Sequence, residues 1–446
     1  MNPVVVIGSG MSGAAVAGTL RRREIPFVVA DLGPNCGSAH VAADAGTRAQ
    51  IDPCHDPSFR PLCRDPAAKH YGAGVGTRLR VGGRSLYWRG IALELEDYAL
   101  ADWPPEVARA VRAGYPAVAA RLAAWTGRPL DAPRNELERS LVERLRGLGF
   151  AGAMPTPRAV QVGLAGDPWA AYSPLSEIRA EDVLSGRELV DLSPERDGLV
   201  VRFDAAGREE TMRAAAVVLC AGAIENARLV SRLLGRPGPF PLVDHLAQGW
   251  VCVPPSEAAP PGREEASLLL HRDRTARFNG FVELHRIDGM AVFDAWTMGE
   301  LLLGEAARLR FDASGPRIDV PALPEAGDVL EGARRFLRDL CARLGWTLDA
   351  DWSDCEDDFA GALVRARAEP GRPVPYRCPL GTVDHEGGTL ALGSECVGAS
   401  SELRELPGVF VAGPCLFPRA GAANPSLTTL ALGAYVAGQV EARRGR

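Results

Sequence analysis

The chain has 446 residues, of which 46% are hydrophobic and 24% are charged. This composition is typical of a globular protein of two or three domains and excludes a disordered, collagen-like or coiled-coil chain. The formal net charge of −6 offers no basic surface to nucleic acid, and no apolar stretch is long enough to span a membrane, so neither partner is predicted.

The first residues of the chain indicate the cellular location of the protein, and its cysteines indicate whether it binds a metal. An apolar, strand-like run begins at residue 4 without the regions of a secretory signal before it, which predicts a cytoplasmic protein. The ten cysteines form no C-x-x-C pair. Cys54, His55 and Cys63 are close in sequence, but their spacing matches no common zinc pattern, so no metal site is predicted.

The first thirty residues predict a βαβ unit with a dinucleotide-binding turn. The β-branched run at residues 4–7 predicts a buried parallel strand, and residues 14–23 predict a helix with an apolar face. Between them lies G-S-G-M-S-G, and a second strand over 26–30 ends at an acidic residue placed to accept hydrogen bonds from a ribose. The residues predicted to hold the dinucleotide here are Gly8, Ser9, Gly10, Met11, Ser12, Gly13 and Asp31.

Each glycine of this turn is expected to have a different structural role. Gly8 lets the chain turn, Gly10 lets the backbone approach a pyrophosphate, and Gly13 lets the helix pack on the strand. The start of the helix adds free N–H groups and the positive end of its dipole. NAD(H) and FAD share this fingerprint, so the turn alone does not distinguish them.

Two further strand–turn–helix units favour FAD. One lies mid-chain, with a strand and turn at 216–223 and a helix at 224–234. The other follows a strand at 405–414 and opens a helix in which Asn424 is the predicted N-cap and Pro425 the first helical residue. A simple NAD dehydrogenase has a contiguous nucleotide fold, whereas a flavoprotein of this type builds its FAD site from the start, middle and end of the chain.

The segments between these units have their own patterns. Residues 104–150 predict two helices from their apolar spacing. Residues 188–192 and 199–203 alternate like the strands of a hairpin whose turn contains Asp197 and Gly198. Beyond residue 236, strands such as 280–284 alternate with an arginine-rich helix at 332–344.

Several blocks of this sequence resemble motifs of the glucose–methanol–choline (GMC) oxidoreductase superfamily. The glycine turn with its acidic residue is one, V-G-G-R-S-L-Y-W at 81–88 resembles the family's G-G-[ST]-S segment, and A-G-A-I-E-N-A-R at 221–228 resembles its A-G-A-I-x-[ST] turn. The family's C-terminal series is matched by H-E-G-G-T at 385–389, V-A-G-P-C-L-F-P at 411–418 and A-N-P at 423–425.

The resemblance implies an α/β fold, with a discontinuous Rossmann-like FAD-binding domain and an inserted α+β substrate domain. The FAD-binding domain is expected to comprise residues 1–105, 150–235 and 378–446. A helical segment over 106–149 packs on it, and residues 236–377 form the substrate domain. Because this substrate domain is short for the superfamily, we expect an open active site or one completed by a partner subunit.

The resemblance also implies further contacts to FAD. The 81–88 block lies along the flavin, a backbone group near residue 189 meets the adenine, and the C-terminal helix directs its first N–H groups at the flavin. Tyr87 stands where some relatives attach FAD through a histidine, so the flavin is expected to be non-covalent. The additional predicted FAD contacts are Gly83, Ser85, Leu189, Ala221, Gly413, Pro425 and Ser426.

For the chemistry, the resemblance implies hydride transfer from a C–OH carbon to flavin N5. His385 is the candidate base, because an imidazole takes up a proton near neutral pH, and Asn424 would hold the substrate oxygen. Cys378, in C-P-L-G-T, fits a competing alignment that would replace the imidazole with a thiol; we prefer His385. His245, in a D-H pair that the family shares, is expected to be structural or to support the flavin, and His271 and His285 are possible lining residues of the pocket.

The predicted function is therefore FAD-dependent oxidation of an alcohol, a sugar or a natural-product intermediate, with O₂ or another acceptor. Two alternatives stay open. One is a lyase or isomerase that keeps FAD as a scaffold, and the other is a catalytically silent FAD-binding protein. The sequence does not identify the substrate, because no motif is legible in the middle of the chain.

Overall fold

The computed structural model describes residues 2–41, 58–61, 76–162, 169–256, 259–260, 262–272, 276–312, 315–320, 327–348, 352, 355 and 358–445. Cys54, His55 and Cys63 lie outside the described residues. Among the described helices, none is both long enough and apolar enough to cross a lipid bilayer.

A parallel sheet joins the two ends and the middle of the chain. Its central strand is completely buried, as its uninterrupted β-branched sequence predicts. Every pairing is parallel, so the turns that follow the strands meet at one edge. In sheet order the strands are Val409–Val411, Ala216–Leu219, Val4–Ile7, Phe27–Asp31 and Val183–Ser185.

Helices cover this sheet. Met11–Arg22 packs against the C-terminal helix Ser426–Arg444, so closely that a Cβ on Gly433 would lie 2.5 Å from the Cβ of Ala15. Pro105–Thr126 packs on the C-terminal helix in turn. The remaining α-helices are Asp97–Leu100, Glu136–Gly147, Ala223–Leu234, Asp328–Arg343 and Phe359–Ala368.

A second, antiparallel sheet of six strands carries most of the middle of the chain. Its outer face is apolar and packs on the helices Asp328–Arg343 and Glu136–Gly147. Its inner face carries buried polar side chains, described below. In sheet order the strands are Val374–Cys378, Leu246–Cys252, Met290–Gly299, Phe278–Ile287, Ala266–Arg272 and Met154–Pro155.

Smaller sheets complete the described part of the fold. The predicted hairpin is present and gains a third strand. The strands of this sheet are Glu188–Glu195, Gly198–Ala205 and Arg208–Ala214. A second three-stranded sheet consists of Phe240–Leu242, Ala307–Asp312 and Gly315–Asp319. Two strand pairs are Phe59–Pro61 with Gly76–Arg78 and Val160–Val162 with Trp169–Ala171.

Three local features of the structure differ from the sequence-based predictions. The last parallel strand is only Val409–Val411, because the chain turns at once into the 3₁₀ turn Pro414–Leu416. The short strand Met154–Pro155, which the sequence analysis did not predict, pairs with Ala266–Arg272 of the large sheet. The C-terminal helix begins at Ser426 with Pro425 as its N-cap, so the prediction that Asn424 caps it is wrong.

Candidate active site

The glycine turn has the steric constraints that its sequence predicts. Gly8 has φ +99°, and a Cβ there would lie 2.7 Å from the carbonyl oxygen of Cys220. A Cβ on Gly13 would lie only 1.9 Å from the carbonyl oxygen of Gly8. At Gly10 the nearest atom to such a Cβ is the Gly82 oxygen, 3.7 Å away. Gly8 and Gly13 are therefore required by packing, whereas nothing in the described residues crowds Gly10.

Asp31 holds this turn in place. Its Oδ2 accepts hydrogen bonds from the backbone N–H of Ser9, at 2.9 Å, and from the Ser9 hydroxyl, while its Oδ1 accepts from Gly33 N–H at 2.8 Å. The Ser9 hydroxyl oxygen in turn accepts from Gly82 N–H at 2.7 Å. Burial raises the pKa of Asp31, and its hydrogen bonds oppose that effect. The carboxyl group thus links the first turn to the segment that contains Gly82 and Gly83.

The mid-chain and C-terminal turns are joined through Asn226. Its Oδ1 accepts from Ala221 N–H at 2.9 Å, and its Nδ2 lies 3.2 Å from the Leu219 oxygen and 3.3 Å from the Ala412 oxygen. Sequence analysis singled out Ala221 but not this side chain, although an asparagine near the start of a predicted helix is a signal for a side-chain bond to nearby backbone groups. Asn226, which is fully buried, thereby holds these two turns together at one edge of the sheet.

The other predicted FAD contacts are distributed around this edge. A Cβ on Gly413, at φ +115°, would lie 2.6 Å from Ser12 Oγ, so these two residues are adjacent. Ser85 donates its hydroxyl to the Gly82 oxygen at 2.6 Å within the 3₁₀ turn Gly83–Leu86. The backbone oxygen of Leu189 accepts a hydrogen bond from Arg232. No described contact joins Leu189 to the glycine turn.

Two helices begin without local compensation for their N-terminal N–H groups. Among the described helices of eight or more residues, only Met11–Arg22 and Ser426–Arg444 have neither a side-chain cap nor an acidic residue in the first turn. Met11 and Ser426 are themselves half-buried. Uncapped N–H groups and the helix dipole both favour an anionic ligand.

His385 is fixed by a second set of backbone contacts. Val243 and Gly387 exchange two backbone hydrogen bonds of 2.9 and 3.1 Å, which lay residues 243–245 beside 385–387. Between them, Asp244 Oδ1 accepts from His385 N–H at 3.2 Å and from His245 N–H at 2.8 Å. The segment before the strand Leu246–Cys252 therefore positions the histidine of the C-terminal series.

The His385 ring touches two polar side chains. Its Nε2 lies 3.4 Å from Asn424 Nδ2, and its Nδ1 lies 3.1 Å from Nδ1 of His245. Asn424 Oδ1 is buried and has no hydrogen-bond partner among the described residues. The structure thus brings both predicted catalytic side chains into contact and adds a second imidazole.

The electrostatic surroundings keep His385 neutral. Burial, the adjacent His245 and the nearby positive charge of Arg84 hold the pKa of His385 well below its ordinary range. Arg84 is paired with Glu386 and Asp384, in both cases at 2.7 Å. A neutral imidazole has a free lone pair, as a general base requires.

Cys378, the competing candidate, lies at the end of a strand of the large sheet. Burial, together with the negative charge of Asp294, raises the pKa of its thiol to about 12. A thiol with this pKa is protonated at neutral pH and is a poor base. The raised pKa therefore makes this thiol a weaker candidate base than the neutral imidazole of His385.

The inner face of the large sheet carries a charged cluster of which the sequence analysis singled out only His285. It consists of Glu283, His285 and Asp294, with Tyr376 and Arg89 around them. His285 Nε2 lies 3.6 Å from Glu283 and from Asp294, Tyr376 donates to Asp294 at 2.7 Å, and Arg89 lies 3.4 Å from Glu283. The D-G pair at 288–289 was the available signal, because a two-residue hairpin turn there pairs Glu283 with Asp294.

Comparison with known proteins extends these observations. No protein-family model matches the chain, and no curated protein matches it in sequence. The structure is similar to the crystal structure of pyridoxine 4-oxidase from Mesorbium loti, with a TM-score of 0.68 and 16% identity over 99% of both chains. That enzyme is a GMC oxidoreductase. The chain therefore shares the fold of this oxidase over almost its whole length.

Proposed function

We propose that the protein is an FAD-dependent oxidoreductase that oxidises a CH–OH group. The observation that carries this proposal is the contact of His385 with Asn424, two residues before an uncapped helix. The GMC fold supports the same class of reaction. Within this proposal the parallel sheet belongs to a discontinuous FAD-binding domain, and the large sheet belongs to the substrate domain.

The residues at the sheet edge fit FAD. The open backbone at Gly10 and the uncapped start of Met11–Arg22 suit the pyrophosphate, and the uncapped start of Ser426–Arg444 suits the electron-rich side of the flavin. Tyr87 is largely buried and its hydroxyl lies 3.2 Å from Arg80, which supports a non-covalent flavin. When bound, FAD supplies the acceptor for the hydride that leaves the alcohol carbon.

Side chains of the protein itself orient the substrate hydroxyl and accept its proton. His385 Nε2 takes the proton of the substrate hydroxyl, and the Asn424 amide orients the hydroxyl oxygen. The buried Asn424 Oδ1 that lacks a partner is consistent with a ligand at this position. The uncapped N–H groups at Ser426 stabilise negative charge that develops nearby.

Anaerobic mixing of the purified, FAD-loaded protein with a panel of alcohols tests the proposal. We expect at least one primary or secondary alcohol to bleach the flavin absorption band. The His385→Ala variant should still bind FAD, but the alcohol should reduce its flavin about 10³-fold more slowly, as expected for the loss of a general base. A protein that cannot be loaded with FAD contradicts the proposal. A loaded protein that converts an alcohol without bleaching points to a lyase or isomerase.

A further inference from the structure

His245 lies behind His385, on the side opposite Asn424. It is 2% exposed, and the two imidazole rings meet edge to face at 86° with their centroids 5.0 Å apart. The closest approach is between the two Nδ1 atoms, at 3.1 Å. The reaction proposed above uses one imidazole, so the second needs a separate explanation.

A contact between two Nδ1 atoms requires one hydrogen. Two neutral rings with both hydrogens on Nδ1 would repel, and two without either would leave the contact unbonded. We place this hydrogen on His385, because the Nδ2 atom of Asn424, which can only donate, lies 3.4 Å from the other ring nitrogen of His385. His385 then donates its Nδ1–H to His245, and its Nε2 lone pair faces the Asn424 amide, where a substrate hydroxyl would take the place of this contact.

The charged groups around the pair do not replace His245 in this role. The carboxylates nearby have other partners: Asp244 accepts backbone N–H groups, and Glu386 and Asp384 pair with Arg84. Burial lowers the pKa of His245 to about 4, so it is a neutral acceptor. The pair therefore differs from a histidine oriented by a carboxylate.

We propose that His245 is a positioning residue for the base, accepting the His385 Nδ1–H and so fixing the ring and the tautomer in which Nε2 carries no hydrogen. This inference rests on the proposed alcohol oxidation. When the alcohol O–H bond breaks, its proton forms an N–H bond at Nε2 of His385, and the hydride leaves the carbon for the flavin. The existing Nδ1–H···Nδ1 bond then joins an imidazolium to a neutral ring and becomes stronger.

Two substitutions separate positioning from packing. His245→Leu retains much of the volume but removes the acceptor. His245→Asn can place Oδ1 where Nδ1 was, and so restores an acceptor without an imidazole. We expect anaerobic flavin reduction by the best alcohol to be about 100-fold slower in His245→Leu, with FAD bound and KM within about twofold of wild type, and at least tenfold faster in His245→Asn than in His245→Leu.

The pH profile gives a readout that packing alone would not change. His245→Asp places a carboxylate against His385, which stabilises the imidazolium, so the lower limb of the rate profile should move up by about one pH unit or more. Glu136→Gln, in an exposed ion pair with Arg139 away from the two imidazoles, is the control and should have the wild-type rate.

The results distinguish this inference from the function on which it rests. If no alcohol reduces the wild-type flavin, the proposed oxidation itself fails. If the wild type is reduced but His245→Leu is equally fast, or His245→Asn is as slow as His245→Leu, the positioning role is overturned.

Discussion

The parallel sheet and the large antiparallel sheet offer different atoms to a ligand. At the edge of the parallel sheet the available groups are backbone N–H groups at two uncapped helices, one of which follows Gly10, where the backbone is open. On the inner face of the large sheet they are side-chain charges, centred on Glu283 and Asp294. Backbone groups depend on local conformation, whereas buried charges depend on partners from other strands. The two regions should therefore respond differently to substitution.

Glu283→Gln should have the largest effect on stability. Burial opposes ionisation of Glu283, but Arg89, His285 and Arg158 outweigh it and lower its pKa to about 2. Removing the carboxylate leaves buried positive charge without a partner, which costs about 3 kcal/mol in the free energy of unfolding at pH 7. Denaturant unfolding at saturating FAD measures the loss.

The same variant has a defined pH dependence. A carboxylate whose pKa is lowered on folding stabilises the protein above its ordinary pKa, and this stability is lost as pH falls toward 2. The difference in the free energy of unfolding between wild type and Glu283→Gln should reach its full value at pH 6 and become smaller below about pH 4.5. Glu136→Gln, in an exposed ion pair with Arg139, is the control and should change stability by less than about 0.5 kcal/mol. An equal loss in the two variants would contradict the assigned role of the cluster.

Asn226→Leu should have a smaller effect, without pH dependence. The leucine fills a similar volume but leaves the N–H of Ala221 and the carbonyl oxygen of Ala412 without this partner. We expect a loss of about 2 kcal/mol, equal at pH 5 and pH 8. A loss below about 0.5 kcal/mol would show that this bridge does not hold the turns together.

The substitutions Gly13→Ala and Gly10→Ala should separate an effect on stability from an effect on FAD binding. The added methyl group at Gly13 would collide with the Gly8 carbonyl, so unfolding of the FAD-free protein should become easier by about 1–3 kcal/mol. At Gly10 the methyl group has room, so the FAD-free protein should be nearly unchanged while FAD binds at least about tenfold more weakly. Thermal melts and FAD titrations of both variants check this. Equal FAD affinity in Gly10→Ala and wild type would contradict the pyrophosphate site.

The sequence predicted well those parts that depend on local pattern. The strand Val4–Ile7, the turn after it and the hairpin around Gly198 follow from β-branched runs and glycine positions. The role of Asn424 in helix capping was predicted wrongly, because Pro425 takes the N-cap position and the asparagine side chain instead contacts His385. The local preference of asparagine for the N-cap position is therefore overridden at Asn424 by its tertiary contact with His385.

The remaining features depend on pairings between distant segments. Met154–Pro155 is too short to show a strand pattern, and it joins the large sheet only because Ala266–Arg272 offers a free edge. The contact between His245 and His385 depends on the bridge between Val243 and Gly387, which no local pattern encodes. Side-chain partners of this kind become visible only in three dimensions.

A crystal structure of the FAD-loaded protein tests the central claim most directly. The account predicts the pyrophosphate at the N terminus of Met11–Arg22, the flavin beside the N terminus of Ser426–Arg444, and His385 Nε2 facing the reactive N5 side of the ring. A flavin bound elsewhere, or one whose N5 side faces away from His385 and Asn424, would contradict it.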